Sequence, residues 1–334
     1  MSTTQETTHT KTRLGKTGPE VFPLALGCMG MSGMYGATDE AESVATIHRA
    51  IERGVNLLDT GDFYGMGHNE LLIRRALQGR KDRPLLSVKF GALRGPDGGW
   101  FGVDTRPMAV KNFVAYSLQR LGVDAIDVYR PARLDPNVPI EDTIGAVADL
   151  VKAGYVRHIG LSEVGVETIR RAHAVHPIVD LQIEYAIATR GPETSIFPTL
   201  NELGISATLY GVLSRGLLAG RKPNGPGDFR AYLPRFGGEH GRSNESVVDA
   251  IARFAKERAM TPAQLVIAWV VAKRPEFVPV IGAKTRAQLD DALDALQKPL
   301  SPADVAALER VVPIGAVAGN RYRDEQMAHL DSER

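Results

Sequence analysis

Cysteine is almost absent from this chain. Cys28 is the one thiol among 334 residues. It cannot close an intrachain disulfide, so a cytoplasmic setting is the default expectation. With no neighbouring histidine or second cysteine, Cys28 reads as a small buried apolar residue. A charge excess is missing too: 40 Lys and Arg stand against 39 Asp and Glu. That balance offers no electrostatic reason to bind nucleic acid or an anionic membrane. No apolar run approaches the roughly 20 residues that span a bilayer. The eight histidines are scattered, without His-x-x-x-His or Cys-x-x-Cys spacing, so no metal site is expected. A complete Gly-x-Gly-x-x-Gly is also absent. Gly65-Met-Gly67 and Gly27-Cys-Met-Gly30 fall short of it, and neither has a suitable acidic residue about 20 positions on. A Rossmann site is thereby disfavoured. No serine sits in a nucleophile elbow.

What is present is a soluble globular composition, 43% hydrophobic and 24% charged. Residues 1–12 are polar and threonine-rich, lack the apolar core of a signal peptide, and read as a frayed tail. Residues 13–334 read as one domain. Its organising stretch runs from Gly54 to Glu70. Val55 to Leu58 is a short buried strand that turns polar at Asp59. Gly61, Gly65 and Gly67 then break a loop carrying Tyr64, and a helical pattern starts at Asn69-Glu70. A second apolar strand, Leu85 to Phe90, carries Lys89 near its end. A buried lysine must be paired or used. Asp59 is the available partner. With Tyr64 nearby, the ammonium would lower the tyrosine's pKa from about 10 toward the working range and make it a general acid or base.

Strand and helix patterns alternate along the rest of the chain. A hairpin turns at Lys16-Thr-Gly18, and Leu24 to Gly27 is the first barrel strand. A helix capped by Thr38 follows it, with His48 packed on its apolar face. Further strands are expected over 125–129, 156–162, 179–183, 205–209 and 277–281. Helices are expected over 144–153, 166–175, 198–203 and 286–296. A Gly-rich loop covers 91–102, and a long irregular loop over 211–243 follows the seventh strand, where loops of this length act as lids or binding loops. Eight strands alternating with helices imply parallel βαβ units, hence an α/β chain closed as one (β/α)8 TIM barrel.

The motif Asp59-Thr60-Gly61-Asp62-Phe63-Tyr64-Gly65 with Asn69-Glu70, joined to Lys89, resembles the aldo-keto reductases. The resemblance runs from Arg13 to the helix before Pro313. It implies carbonyl reduction with NADPH, with Asp59, Tyr64 and Lys89 catalytic. It implies that Ser162 and Gln182 hold the nicotinamide carboxamide and that Tyr210 stacks on the ring. Glu163 stands where that family has Asn, and a carboxylate cannot donate to the amide oxygen. Leu213, Arg215 and Gly216 match the pyrophosphate loop. Gly282, Lys284, Thr285, Arg286 and Gln288 match the segment for the adenosine 2′-phosphate, where a helix start and two cations would hold an anion. Ala292 replaces an adenine-contacting Asn. The family's Asp-Leu-Tyr-x-x-His reads here Asp127-Val-Tyr-Arg-Pro-Ala132, so Ala132 replaces the catalytic histidine. An ordered water, Arg130 or a substrate hydroxyl could stand in for it. Met29, Tyr35, Trp100 and Ala132 are expected around a small-molecule carbonyl substrate. The alternative is a nicotinamide-nucleotide-binding regulatory protein with little turnover. A Schiff-base role for Lys89 is disfavoured, because Asp59 would keep it protonated. Nothing in the sequence speaks to the oligomeric state.

Overall fold

A computed structural model describes residues 10–225 and 227–334. Most of the expected tail, residues 1–9, lies outside them. Thr12, assigned to that tail, instead pairs with Val21 in the hairpin β1 (Thr12–Arg13) and β2 (Glu20–Val21). The chain continues through β3 (Ala25–Gly27), α1 (Glu40–Glu52), β4 (Leu57–Gly61), α2 (His68–Leu77) and β5 (Leu85–Phe90). Next come β6 (Ala92–Arg94), β7 (Trp100–Val103), α3 (Pro107–Leu121), β8 (Ile126–Pro131), α4 (Ile140–Lys152), β9 (Val156–Ser162) and α5 (Val166–Val175). The last part holds β10 (Ile178–Glu184), α6 (Ile196–Leu203), β11 (Ser206–Tyr210), α7 (Gly238–Lys256), α8 (Pro262–Lys273), β12 (Val278–Gly282), α9 (Arg286–Leu293), α10 (Pro302–Val311) and α11 (Asp324–Met327).

Strands β3, β4, β5, β8, β9, β10, β11 and β12 close into a parallel barrel. This is the expected (β/α)8 architecture with its N-terminal hairpin. Leu14 and Val21 of the hairpin join Ala25, Leu57, Val128, Val179, Val278 and Val280 in one buried cluster, which seals the N-terminal end of the barrel. A larger apolar layer fills the space between strands and helices. The opposite, C-terminal end is left for polar side chains, as is usual for such barrels.

Several local expectations change. Asp39, not Thr38, caps α1 by accepting from the Glu42 amide. His48 is packed as expected, its Nε2 2.7 Å from the Ala76 carbonyl. The Gly-rich loop at 91–102 is an antiparallel ribbon, β6 on β7. The loop after β11 contains three 3-10 turns and ends at Gly238, earlier than expected, where α7 begins. Helix α8 left no periodic signal, because its side chains from Ala263 to Val270 are all buried. A helix apolar on every side has no amphipathic stripe. Among the described residues no helix is long and apolar enough to cross a membrane.

Candidate active site

Register brings the first site residues together. In the β4–β5 pairing, Asp59 lies opposite Ser87 and Gly61 opposite Lys89. Lys89 Nζ donates to Asp59 Oδ2 at 2.5 Å, and both side chains are more than nine-tenths buried. Ser87 Oγ (2.9 Å) and Gln182 Nε2 (2.8 Å) donate to the other oxygen, Oδ1. The buried carboxylate is thus satisfied on both sides, which such a group requires. Tyr64 starts a tight turn after β4, and its ring centroid is 5.5 Å from Lys89 Nζ. Gly61 makes room for it: an added Cβ would come within 3.3 Å of Tyr64 Cε1 and 3.1 Å of Phe63 Cε1.

The expected depression of the Tyr64 pKa is not found. Burial raises it well above its ordinary value, and the negative charge of Asp59 adds to the rise. Lys89 is paired with Asp59, and the expected lowering does not outweigh burial and the Asp59 charge. Arg133 is the cation that opposes the rise. Burial also lowers the pKa of Lys89, with Asp59 opposing. Tyr64 therefore holds its proton, the state a proton donor needs.

Beneath this layer lies a second one. Arg130 is fully buried and pairs with Asp180 at 2.8 Å. It also donates to Ser87 Oγ at 2.9 Å and Thr208 Oγ1 at 3.1 Å. Arg130 shares a face of β8 with Ala132, as the strand period requires, but its guanidinium is spent inside the barrel. It does not fill the place of the missing histidine. Ala132 is 2% exposed at the strand end.

Seven of the expected nucleotide groups line a cleft of about 740 Å³ beside the mouth, while Ser162, Gln182, Thr285 and Arg286 lie outside its lining. Tyr210, Leu213, Arg215, Gly216, Gly282, Lys284 and Gln288 line it, with Tyr35, Arg221 and Arg230. Lys284 Nζ makes no ion pair among the described residues and donates to the carbonyls of Tyr35 and Ala37. Thr285 caps α9, and Gln288 Oε1 accepts from the Lys284 amide. Ser162 Oγ is buried at the end of β9 without a hydrogen-bond partner among the described residues. Such an orphan fits a ligand amide, so the residues present suit a nicotinamide nucleotide.

Three expected contacts are already taken, and Tyr210, which lines the cleft, is held by its hydroxyl. The Gln182 amide nitrogen serves Asp59. The Tyr210 hydroxyl donates to Glu163 at 2.7 Å. Arg215 pairs with Glu184 at 2.9 Å and lies 4.4 Å over the Tyr322 ring, instead of waiting for pyrophosphate. Arg286 forks onto Glu42, whose Oε1 also accepts the Arg286 backbone N–H at 2.9 Å. The chain's own carboxylate thus fills the anion position at the start of α9.

Of the expected substrate-pocket residues, Met29 is half-buried in the turn after β3 and Trp100 is 45% exposed on β7. Tyr35 is near enough to Tyr64 to add to the rise of its pKa. It lines the nucleotide cleft, with the Arg230 guanidinium 5.6 Å from its ring.

The sequence reading missed the return of the C-terminal segment to the mouth. Arg321 forks onto Glu163 at 2.9 and 2.5 Å and also reaches Glu333. Its neighbour Tyr322 lies 3.1 Å from the Tyr210 hydroxyl. Glu163, with φ +54°, further accepts from Ser332 Oγ and the Glu184 amide. The one signal for this was Glu163 itself, a carboxylate at a strand end that demanded a cation.

The family model for the aldo/keto reductase family matches residues 23–313. A curated relative, probable aldo-keto reductase 1 from Glycine max, is 40% identical over 318 residues, covering 93% of this chain and 91% of its own. An aldo-keto reductase from Bacillus halodurans in its holo form superposes with a TM-score of 0.76 at 27% identity, covering 96% of this chain and 100% of its own. A glycerol dehydrogenase from Gluconobacter oxydans has a TM-score of 0.81 at 24% identity, over 90% and 94% of the two chains, and speaks to the fold alone. A (β/α)8 barrel with an aspartate, a tyrosine and a lysine at its C-terminal mouth defines a class of oxidoreductases. This chain belongs to the aldo-keto reductase family.

Proposed function

We propose that the protein reduces an aldehyde or ketone to an alcohol with NADPH, Tyr64 supplying the proton. The observation that carries this reading is the buried Lys89–Asp59 pair beside Tyr64 at the barrel mouth. When bound, the nucleotide supplies the hydride. Ser162 would hold the carboxamide, and Lys284 would face the phosphates. Tyr64 keeps its proton until a carbonyl oxygen beside it gains negative charge. Lys89 lies against the tyrosine ring and stabilises the phenolate as that proton leaves. Asp59 holds Lys89 in place, and Ser87 and Gln182 hold Asp59. The binding-only alternative draws on Ala132, whose methyl group offers no donor to a substrate oxygen.

NADPH oxidation across a panel of aldehydes and ketones, with Tyr64→Phe beside the native enzyme, tests both readings. The variant is expected to lose about 10²–10⁴ in kcat while its nucleotide affinity stays within about twofold, because the proton is needed in the transition state. Undiminished turnover by Tyr64→Phe overturns the role of Tyr64. No turnover by the native enzyme on any carbonyl favours the binding-only protein.

A further inference from the structure

The cations around the mouth are not equally provided for. Arg215 and Arg235 share Glu184, Arg321 has Glu163, Lys89 has Asp59, and Arg130 has Asp180. Two guanidiniums on the Tyr64 side stand apart. Arg133 follows Ala132 directly. It donates to the Ala132 carbonyl at 2.6 Å and to the Tyr322 hydroxyl at 3.4 Å. Arg94, half-buried on β6, donates to the Gly98 carbonyl at 3.1 Å and lies about 6 Å over the rings of Phe63 and Trp100. Neither has a carboxylate within ion-pair distance among the described residues. Each leaves most of its five N–H donors unused.

Both lie close to the proposed proton donor. The Phe63 ring, which Arg94 covers, packs edge-on against Tyr64 at 4.8 Å. Arg133 is felt at Tyr64 as the charge that opposes its raised pKa. Burial lowers the pKa of Arg94; at Arg133 burial is outweighed by Tyr322, Tyr210 and Glu163, yet no carboxylate forms an ion pair with it among the described residues. Two such guanidiniums on the Tyr64 side suit an oxyanion, and Arg is the side chain whose geometry fits carboxylate or phosphate.

We propose that the substrate is a carbonyl compound bearing a compact oxyanion, a carboxylate or a phosphate, which Arg133 and Arg94 hold while its carbonyl oxygen lies against Tyr64. The inference rests on the reductase reading for the reaction, and on the two arginines alone for the anion. Arg133 then does more than lend charge where the histidine is lost. It selects which carbonyl compounds enter.

The test compares matched substrates: a four-carbon aldehyde ending in carboxylate, its methyl ester, and a short aldehyde ending in phosphate. One charge-assisted fork should favour an anionic substrate over the ester by about 10- to 100-fold in kcat/KM. Whichever anion shows the larger ratio identifies the source. In Arg133→Gln the ratio should fall to near unity. Arg133→Lys should keep part of it, and Arg94→Gln should reduce it. An ester as good as both anions, or an undiminished ratio in Arg133→Gln, overturns the proposal. If no aldehyde turns over, the reductase reading fails and the anion site is still read separately. Trp100 lies beside Arg94, so its emission should respond to succinate or inorganic phosphate in the native protein. Saturable binding lost in Arg133→Gln supports the site; no saturable response overturns it. Should Arg133→Gln fail to fold, Arg133→Lys and Arg94→Gln decide on the same ratio.

Discussion

Arg321→Ala is the sharpest probe of how the C-terminal segment is held. Glu163 is fully buried and its carboxylate faces four donors: the Arg321 guanidinium, the Tyr210 and Ser332 hydroxyls, and the Glu184 amide. Truncating Arg321 removes the charge and leaves the neutral donors. Removing one partner of a buried ion pair costs about 3–5 kcal/mol, because the other charge stays desolvated. At roughly 2 °C per kcal/mol for a domain this large, that is a loss of about 6–10 °C in Tm. A cheaper escape exists. Residues 314–334 can lift off and let Glu163 regain water, and the penalty is then capped at the cost of that local opening. Limited trypsin digestion separates the two routes, since Arg323 is exposed and one residue past Tyr322. Lift-off predicts early cleavage there with little change in Tm; a held segment predicts the full loss in Tm. The native clamp should also survive acid. Burial alone would raise the Glu163 pKa, but Arg321, with Arg133 and Ser332 adding, holds it far below its ordinary value of 4.5. A depressed carboxylate contributes its stabilisation above the unfolded pKa and loses it only as pH falls through the folded one. Native protein at about pH 4 should therefore still protect the segment. A variant with unchanged Tm and unchanged digestion would refute the clamp.

Two further tests address other parts of the site. Asp62 is pushed up to about 8 by burial and by the nearby charge of Glu70, with Arg120 opposing. A carboxyl whose folded pKa exceeds its unfolded value of 3.8 costs increasing stability as pH rises between the two. Asp62→Asn should raise Tm near pH 9, with a gain that shrinks toward pH 4; an equal shift at both would contradict the assignment. Glu42→Gln should free Arg286 for an anion and improve NADPH affinity relative to NADH by about tenfold. Fluorescence titration of both nucleotides measures it, and an unchanged ratio would remove Arg286 and Glu42 from cofactor choice.

The fold was legible because barrel strands are short apolar runs and their helices are mostly striped. Strands around Leu58, Val88 and Leu161 stood out by composition, and β9 and α5 fall where the pattern placed them. Most of what failed to show lacks a period, although α7, an amphipathic helix, was missed as well. Helix α8 is buried on all sides. Ribbon β6–β7 is half Gly and polar, and the residues after Pro313 carry charge without rhythm.

At the site, the Asp59–Lys89 pair could be read from two strand ends, since a buried lysine leaves few choices of partner. The sequence by itself determined which strand-end groups reach the barrel mouth, because strand period and loop position decide that locally; the return of Arg321 and Tyr322 to it was decided by the tertiary structure. Which group answers which was decided in three dimensions. Arg130 and Arg133 are three residues apart, yet one closes on Asp180 inside the barrel and the other makes no ion pair at the rim among the described residues. Glu163 finds Arg321 across 158 residues of chain. Arg286 is met by Glu42 from across 244 residues. Ion pairing depends on distances of a few ångströms and on how much water each group has lost. Both are set by packing between elements far apart in the chain, and no local pattern encodes them.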